Sequence, residues 1–289
     1  MRPIAIAGLQ MDVKPGADNT PMAVTKIREM VQRFPWIELV VLSELAVSGM
    51  KTTDAQALPG PSERAFQDLA RSLGIWLVPG SMYERVGERV YNTASVIDPK
   101  GEVVGRYRKM FPFQPYEPGV TPGDRPLVFD IPGAGRFGLS ICYDLWFPEH
   151  SRWLVSQGAE VILHPSLTDT IDRDVELAII RATAAHNQCF VVDVNGVGEG
   201  GNGRSLFVGP AGDVLHAAGS DEQQMPLELD LDRVSRSREL GLRGLGQPLK
   251  SFRDRDFDFP CYAEPSPYLD SLGPLALPSR RSPLGVTRK

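Results

Sequence analysis

Cysteine is scarce in this 289-residue chain: Cys142, Cys189 and Cys261 are odd in number and far apart. That excludes a disulfide framework and fits a reducing compartment. The four histidines, His150, His164, His186 and His216, have neither HExxH nor cysteine-paired spacing, so no metal site is expected. Positive charge is not in excess. A net charge of −5 leaves no basic footprint for nucleic acid. Long apolar runs are missing too, and none approaches the length of a bilayer span. The opening stretch Met1–Gln10 meets Asp12 almost at once, which is too short for a secretory segment and suits a buried first strand. These absences predict a soluble, cytoplasmic globular protein with no membrane or nucleic-acid partner.

What is present can build a core. At 42% hydrophobic, the chain reads as one large domain or two small ones. Strands are expected at residues 3–9, 37–42 and 75–78, separated by two helices. Thr20 would cap the first helix, with Pro21 at its first position and Val24, Ile27, Met30 and Val31 on one face. Ser62 would cap the second, Phe66, Leu69, Ala70 and Leu73 would share a face, and Gly74 would close it. Residues 92–107 read as a hairpin turning at Asp98-Pro99-Lys100-Gly101. Further strands are expected at 126–130, 136–142, 161–163 and 190–194, with helices at 148–157 and 174–188 and a second hairpin at 205–217. The alternation implies an α/β protein of α+β layers. Beyond Gly241 the composition turns to Pro, Arg, Asp and Ser with little periodicity. Gly196–Gly201 has GxGxxG spacing, but a strand follows where a dinucleotide site needs a helix, so it reads as a turn.

Cys142 ends the string Phe137-Gly138-Leu139-Ser140-Ile141-Cys142, just before Leu145-Trp146-Phe147-Pro148-Glu149. A thiol at such a strand-to-helix elbow faces free N–H groups, which lower its pKa and can hold an oxyanion. The same string equally suits a buried core cysteine. Cys189 and Cys261 read as packing residues. Glu44 follows the doubly buried Val40-Val41-Leu42-Ser43, where desolvation would make it a base, although alone it reads more readily as a solvated loop charge. Lys109, in Arg106–Phe113, reads alone as surface charge. Glu117 lies in Gln114–Gly119, a proline-rich and aromatic stretch that is either a pocket wall or a crossover.

In combination these residues say more. Glu44, Lys109 and Cys142, in that order and each at a strand end, resemble the catalytic set of the nitrilase superfamily of carbon–nitrogen hydrolases. The resemblance covers roughly residues 1–240. It includes Gly135–Asp144, similar to the family's nucleophile strand, and Arg181–Val192, similar to its late helix-to-strand segment. Tyr107–Glu117 resembles the lysine loop of aliphatic amidases and formamidases, second glutamate included. Cys142–Glu149 is similar both to those and to omega-amidases. The patterns of true nitrilases and carbamoylases are not present, and Ser43 stands where the family usually has proline.

The resemblance implies a four-layer α-β-β-α sandwich over residues 1–245. It also implies a C-terminal arm, 246–289, that packs on a neighbouring subunit of a homo-oligomer or is partly disordered. The implied activity is a cofactor-independent amidase that hydrolyses a small carboxamide through a Cys142 thioester. Glu44 would be the base, Lys109 and the Tyr143 backbone N–H would face the oxyanion, and Glu117 would keep the lysine charged. Phe113, Tyr116, Tyr143, Trp146 and Phe147 would form a tight pocket for a short acyl group, with His164 at its edge. The same machinery would serve an omega-amidase or an N-carbamoyl amide hydrolase. A catalytically silent scaffold is the remaining reading, and a retained Glu–Lys–Cys cluster speaks against it.

Overall fold

The apolar runs become two sheets stacked face to face in the computed structural model, which describes residues 3–263 and 266–275. The first sheet contains β1 (Ile4–Gln10), β2 (Leu39–Leu42), β3 (Trp76–Val78), β4 (Met82–Val86), β5 (Arg89–Ile97) and β6 (Val103–Arg108). The second contains β7 (Val128–Ile131), β8 (Gly135–Leu139), β9 (Val161–Ser166), β10 (Phe190–Asn195), β11 (Leu206–Val208) and β12 (Val214–Ala217). A last strand, β13 (Gln223–Leu229), returns to the first sheet antiparallel to β1. The orders are β13-β1-β2-β3-β5-β4, with β6 on β5, and β12-β11-β10-β9-β8-β7.

Helices α1 (Thr20–Arg33) and α2 (Pro61–Leu73) cover the first sheet, and α3 (Pro148–Ser156) and α4 (Arg173–Asn187) cover the second. Period-two alternation explains how one strand serves two interiors. In β2, Leu39 and Val41 join Leu139, Leu163 and Val192 between the sheets, while Val40 and Leu42 pack with Ile27, Met30 and Phe66 beneath the helices. A third interior joins Ile162 and Val191 to Leu154 and Ile180. Four layers therefore enclose three cores, the α-β-β-α arrangement that the resemblance implied.

Several boundaries differ from the sequence reading. Asn19, not Thr20, precedes α1, and Gly60, not Ser62, precedes α2, with Pro61 opening that helix. Strand β8 ends at Leu139 and does not run to 142, because the Asp144 carboxylate takes the Ile141 N–H and turns the chain out of the ladder. The unexpected β13 carries Gln223, Gln224 and Pro226, a composition tolerated because it is an edge strand.

After α5 (Asp232–Leu240), the arm continues through α6 (Pro248–Arg253), α7 (Pro260–Ala263) and α8 (Pro267–Asp270). Its first part packs on its own chain: Leu249 joins the α3–α4 core, and the Arg152 guanidinium lies 5.1 Å over the Phe252 ring. Cys261, expected to pack, is exposed, whereas Cys189 is buried as expected. Residues 264–265 and 276–289 of the expected arm lie outside the described residues. Among the described residues no helix is long and apolar enough to cross a membrane.

Candidate active site

Three chain segments leaving strand ends converge with the loop between β6 and β7. Glu44 lies two residues past β2 and is 3% exposed. Its N–H donates to the Ser166 carbonyl of the opposite sheet (3.2 Å), and the next N–H, of Leu45, donates to Ser81 Oγ (3.0 Å). These bonds fix the strand end that Ser43 leaves without a proline. Gly80 is needed here: its φ is +72°, and a Cβ would sit 1.8 Å from the Ser43 carbonyl oxygen.

Lys109 immediately follows β6 and is 1% exposed. Its Nζ donates to Glu44 Oε1 at 2.8 Å and to Glu117 Oε2 at 2.7 Å. The Asn92 amide bridges the same carboxylates, donating to Glu44 Oε1 (2.7 Å) and Glu117 Oε1 (3.3 Å). Tyr83 Oη and the Phe113 N–H also donate to Glu117. One buried cation thus serves two carboxylates.

Cys142 opens a 3-10 turn, Cys142–Trp146, ahead of helix α3. Its φ of 46° is uncommon for an L-residue and costs on the order of 1–3 kcal/mol. Asp144 holds that turn by accepting from the N–H groups of Ile141 (2.9 Å) and Phe111 (2.8 Å) and from Tyr107 Oη (2.7 Å). The half-buried thiol lies 3.9 Å from Thr168 Oγ1 and feels the charge of the Glu44 carboxylate.

Burial raises the Glu44 pKa above its ordinary value, opposed by Lys109 and reinforced by Glu117. Burial alone would lower Lys109, but Glu44, Cys142 and Glu117 outweigh it and hold the ammonium well above its usual range. For Glu117 burial pushes upward, yet the Lys109 charge and hydrogen bond bring the carboxyl below its ordinary value. Burial also raises the Cys142 thiol, Glu44 adds to this, and Lys109 opposes it. The arrangement is therefore a protonated thiol beside a basic carboxylate, with a permanent cation between that base and a second carboxylate.

A cavity of about 390 Å³ opens onto Glu44 and Glu117. Phe113 and Tyr116 line it. Its other walls include Leu45, Met50, Lys51 and Tyr83, none of them anticipated as pocket residues. Trp146, Phe147 and His164 are not among its walls. Phe147 stacks on Phe111 with centroids 3.7 Å apart, and Tyr143 packs between Phe147 and Phe113. His164 is buried under the site, with Nδ1 3.1 Å from Ser140 Oγ, and burial brings its pKa down to about 4.

Residues 4–239 match the carbon–nitrogen hydrolase family. The chain belongs to that family. This hydrolase is 29% identical over 242 residues to an omega-amidase of Xenopus laevis, covering 77% of this chain and 87% of the relative. It is 34% identical over 215 residues to a nitrilase of Pyrococcus abyssi, covering 70% and 80%. A solved amidase from Nesterenkonia sp. AN1, in which acrylamide has added to the active-site cysteine, aligns with a TM-score of 0.72 at 26% identity. That alignment covers 84% of this chain and all of the other.

Proposed function

We propose that this carbon–nitrogen hydrolase converts a carboxamide to a carboxylate and ammonia through a thioester on Cys142. The observation that carries the reading is Lys109, buried between Glu44 and Glu117 beside the thiol. The Glu44 carboxylate takes the thiol proton as sulfur attacks the amide carbon, and the oxyanion forms opposite the Lys109 ammonium and the Tyr143 N–H. Collapse expels ammonia, which takes the proton from Glu44. Glu44 then takes a proton from the water that attacks the thioester and returns it to sulfur as the carboxylic acid leaves, which gives its own proton to solvent. A base raised by burial suits this work, because its proton affinity approaches that of the groups it exchanges with.

A second reading, an omega-amidase acting on amides with a distal carboxylate, is favoured by Lys51. Lys51 lines the cavity beside Thr52 and Thr53 and makes no ion pair with a described residue. The cavity is also larger than a one- or two-carbon acyl group needs. Ammonia release from propionamide and from succinamate, by the wild type and by Lys51→Ala, tests both readings. Lys51→Ala is expected to raise KM for succinamate about fivefold and leave propionamide unchanged. Equal effects on both amides would remove Lys51 as a carboxylate reader. Release from neither amide, with turnover of a nitrile or carbamoyl compound instead, would overturn the amidase reading.

A further inference from the structure

A third carboxylate reaches the nucleophile. Glu176 of α4, 8% exposed, has Oε1 3.1 Å from Thr168 Oγ1, the same hydroxyl oxygen that lies 3.9 Å from Cys142 Sγ. Thr168 is held by its backbone: its N–H donates to Asn195 Oδ1 (2.9 Å), and its carbonyl accepts from Asn195 Nδ2 (3.0 Å). Arg173 donates to Glu176 Oε2 (3.1 Å) and is itself paired with Asp193 of β10. The Trp146 indole N–H approaches Glu176 Oε1 at 3.4 Å. None of these groups has a part in the chemistry above.

A hydroxyl has a single proton to give. While Glu176 is ionised it can only accept, so Thr168 donates to it and can only accept from the thiol. When Glu176 is protonated it donates to Thr168, and the Thr168 hydroxyl is released toward sulfur, where a thiolate would accept it. Both states use the same heavy-atom positions.

We propose that Glu176 is a positioning residue for the nucleophile: it sets the direction of the Thr168 hydroxyl and so holds Cys142 as a thiol in the resting site. Glu44 then removes the proton during attack, not beforehand. The inference rests on the Cys142 reading above. The charged neighbours of Glu176 are Arg173 and Asp193, with His164 3.9 Å from Asp193, while Glu44 and Lys109 act on Cys142 from the first sheet. Burial raises the Glu176 carboxyl, and Arg173 opposes that rise.

The test is the pH dependence of Cys142 alkylation by iodoacetamide in the full-length enzyme. Glu176→Gln presents an amide N–H to Thr168 as the protonated acid would. It is expected to shift the profile to lower pH, with about tenfold faster alkylation at a fixed pH below the midpoint. Adding Thr168→Val should erase most of that gain, and Thr168→Ser should keep it. An equal gain with and without the hydroxyl would mean that the charge acts through space and would overturn the relay, as would no shift. If Glu176→Gln does not fold, Thr168→Val against Thr168→Ser decides: only Val should move the profile away from that of the wild type, and an unmoved profile with Val would overturn the relay. A Cys142→Ala enzyme of normal activity would sink the nucleophile reading itself, whereas an unmoved profile with an inactive Cys142→Ala enzyme sinks the relay alone.

Discussion

Lys109→Met is expected to reduce kcat by at least about 10²- to 10³-fold and to destabilise the fold by roughly 3–5 kcal/mol. Methionine keeps most of the length of the side chain and removes its charge. Glu44 and Glu117, each within 2.8 Å of the lost ammonium, would then face one another in a buried site. Two such carboxylates cannot both ionise, so one retains a proton and the pair titrates above the usual range. If Glu44 keeps the proton, the base is lost together with the oxyanion's cation. The stability deficit has a definite sign with pH. Groups whose folded pKa is raised destabilise most when the unfolded chain ionises them freely, so the deficit should shrink as pH falls toward the ordinary carboxylate range. Urea unfolding at several pH values, with ammonia release, checks both parts. Wild-type stability at neutral pH would contradict the buried-cation account.

Glu44→Gln is expected to lower kcat by about 10²- to 10⁴-fold while leaving the Lys109–Glu117 pair intact. Its diagnostic is the pH profile. Glu44 works as a carboxylate and is lost as pH falls through its folded pKa. Because burial raises that value, the acid limb of kcat/KM should lie above the ordinary 4.5. The residual activity of Glu44→Gln should show no such limb. A limb that persisted unchanged would assign the titration to another group.

The parts legible in the sequence were those that single strands advertise. Leu39–Leu42 reads as a strand buried on both faces because each of its residues has a core to enter. Glu44, Lys109 and Cys142 each sit at a strand end, but singly they read as ordinary charges or a core thiol, and only their order along the chain, through the resemblance, marked them out. Tyr83 and Asn92 were not, since their role comes from register: they are cross-strand partners on β4 and β5, and both reach Glu117. Thr168 and Glu176 meet only when α4 packs on the second sheet, which no local pattern specifies. The aromatic pocket was half legible. Phe113 and Tyr116 line the cavity, but Phe147 is turned onto Phe111, a stacking preference that spacing along the chain does not encode. The missing proline at Ser43 signified little, because backbone bonds to Ser166 and Ser81 hold the strand end.

A covalent thioester on Cys142 is read from the mass of the Cys142 peptide after acid quench of the enzyme turning over an amide. That peptide is expected to carry the acyl group, with ammonia released in at least that amount, and Cys142→Ala is expected to show neither adduct nor turnover. An unmodified Cys142 peptide during turnover, with Cys142→Ala releasing ammonia at the wild-type rate, would contradict the thioester.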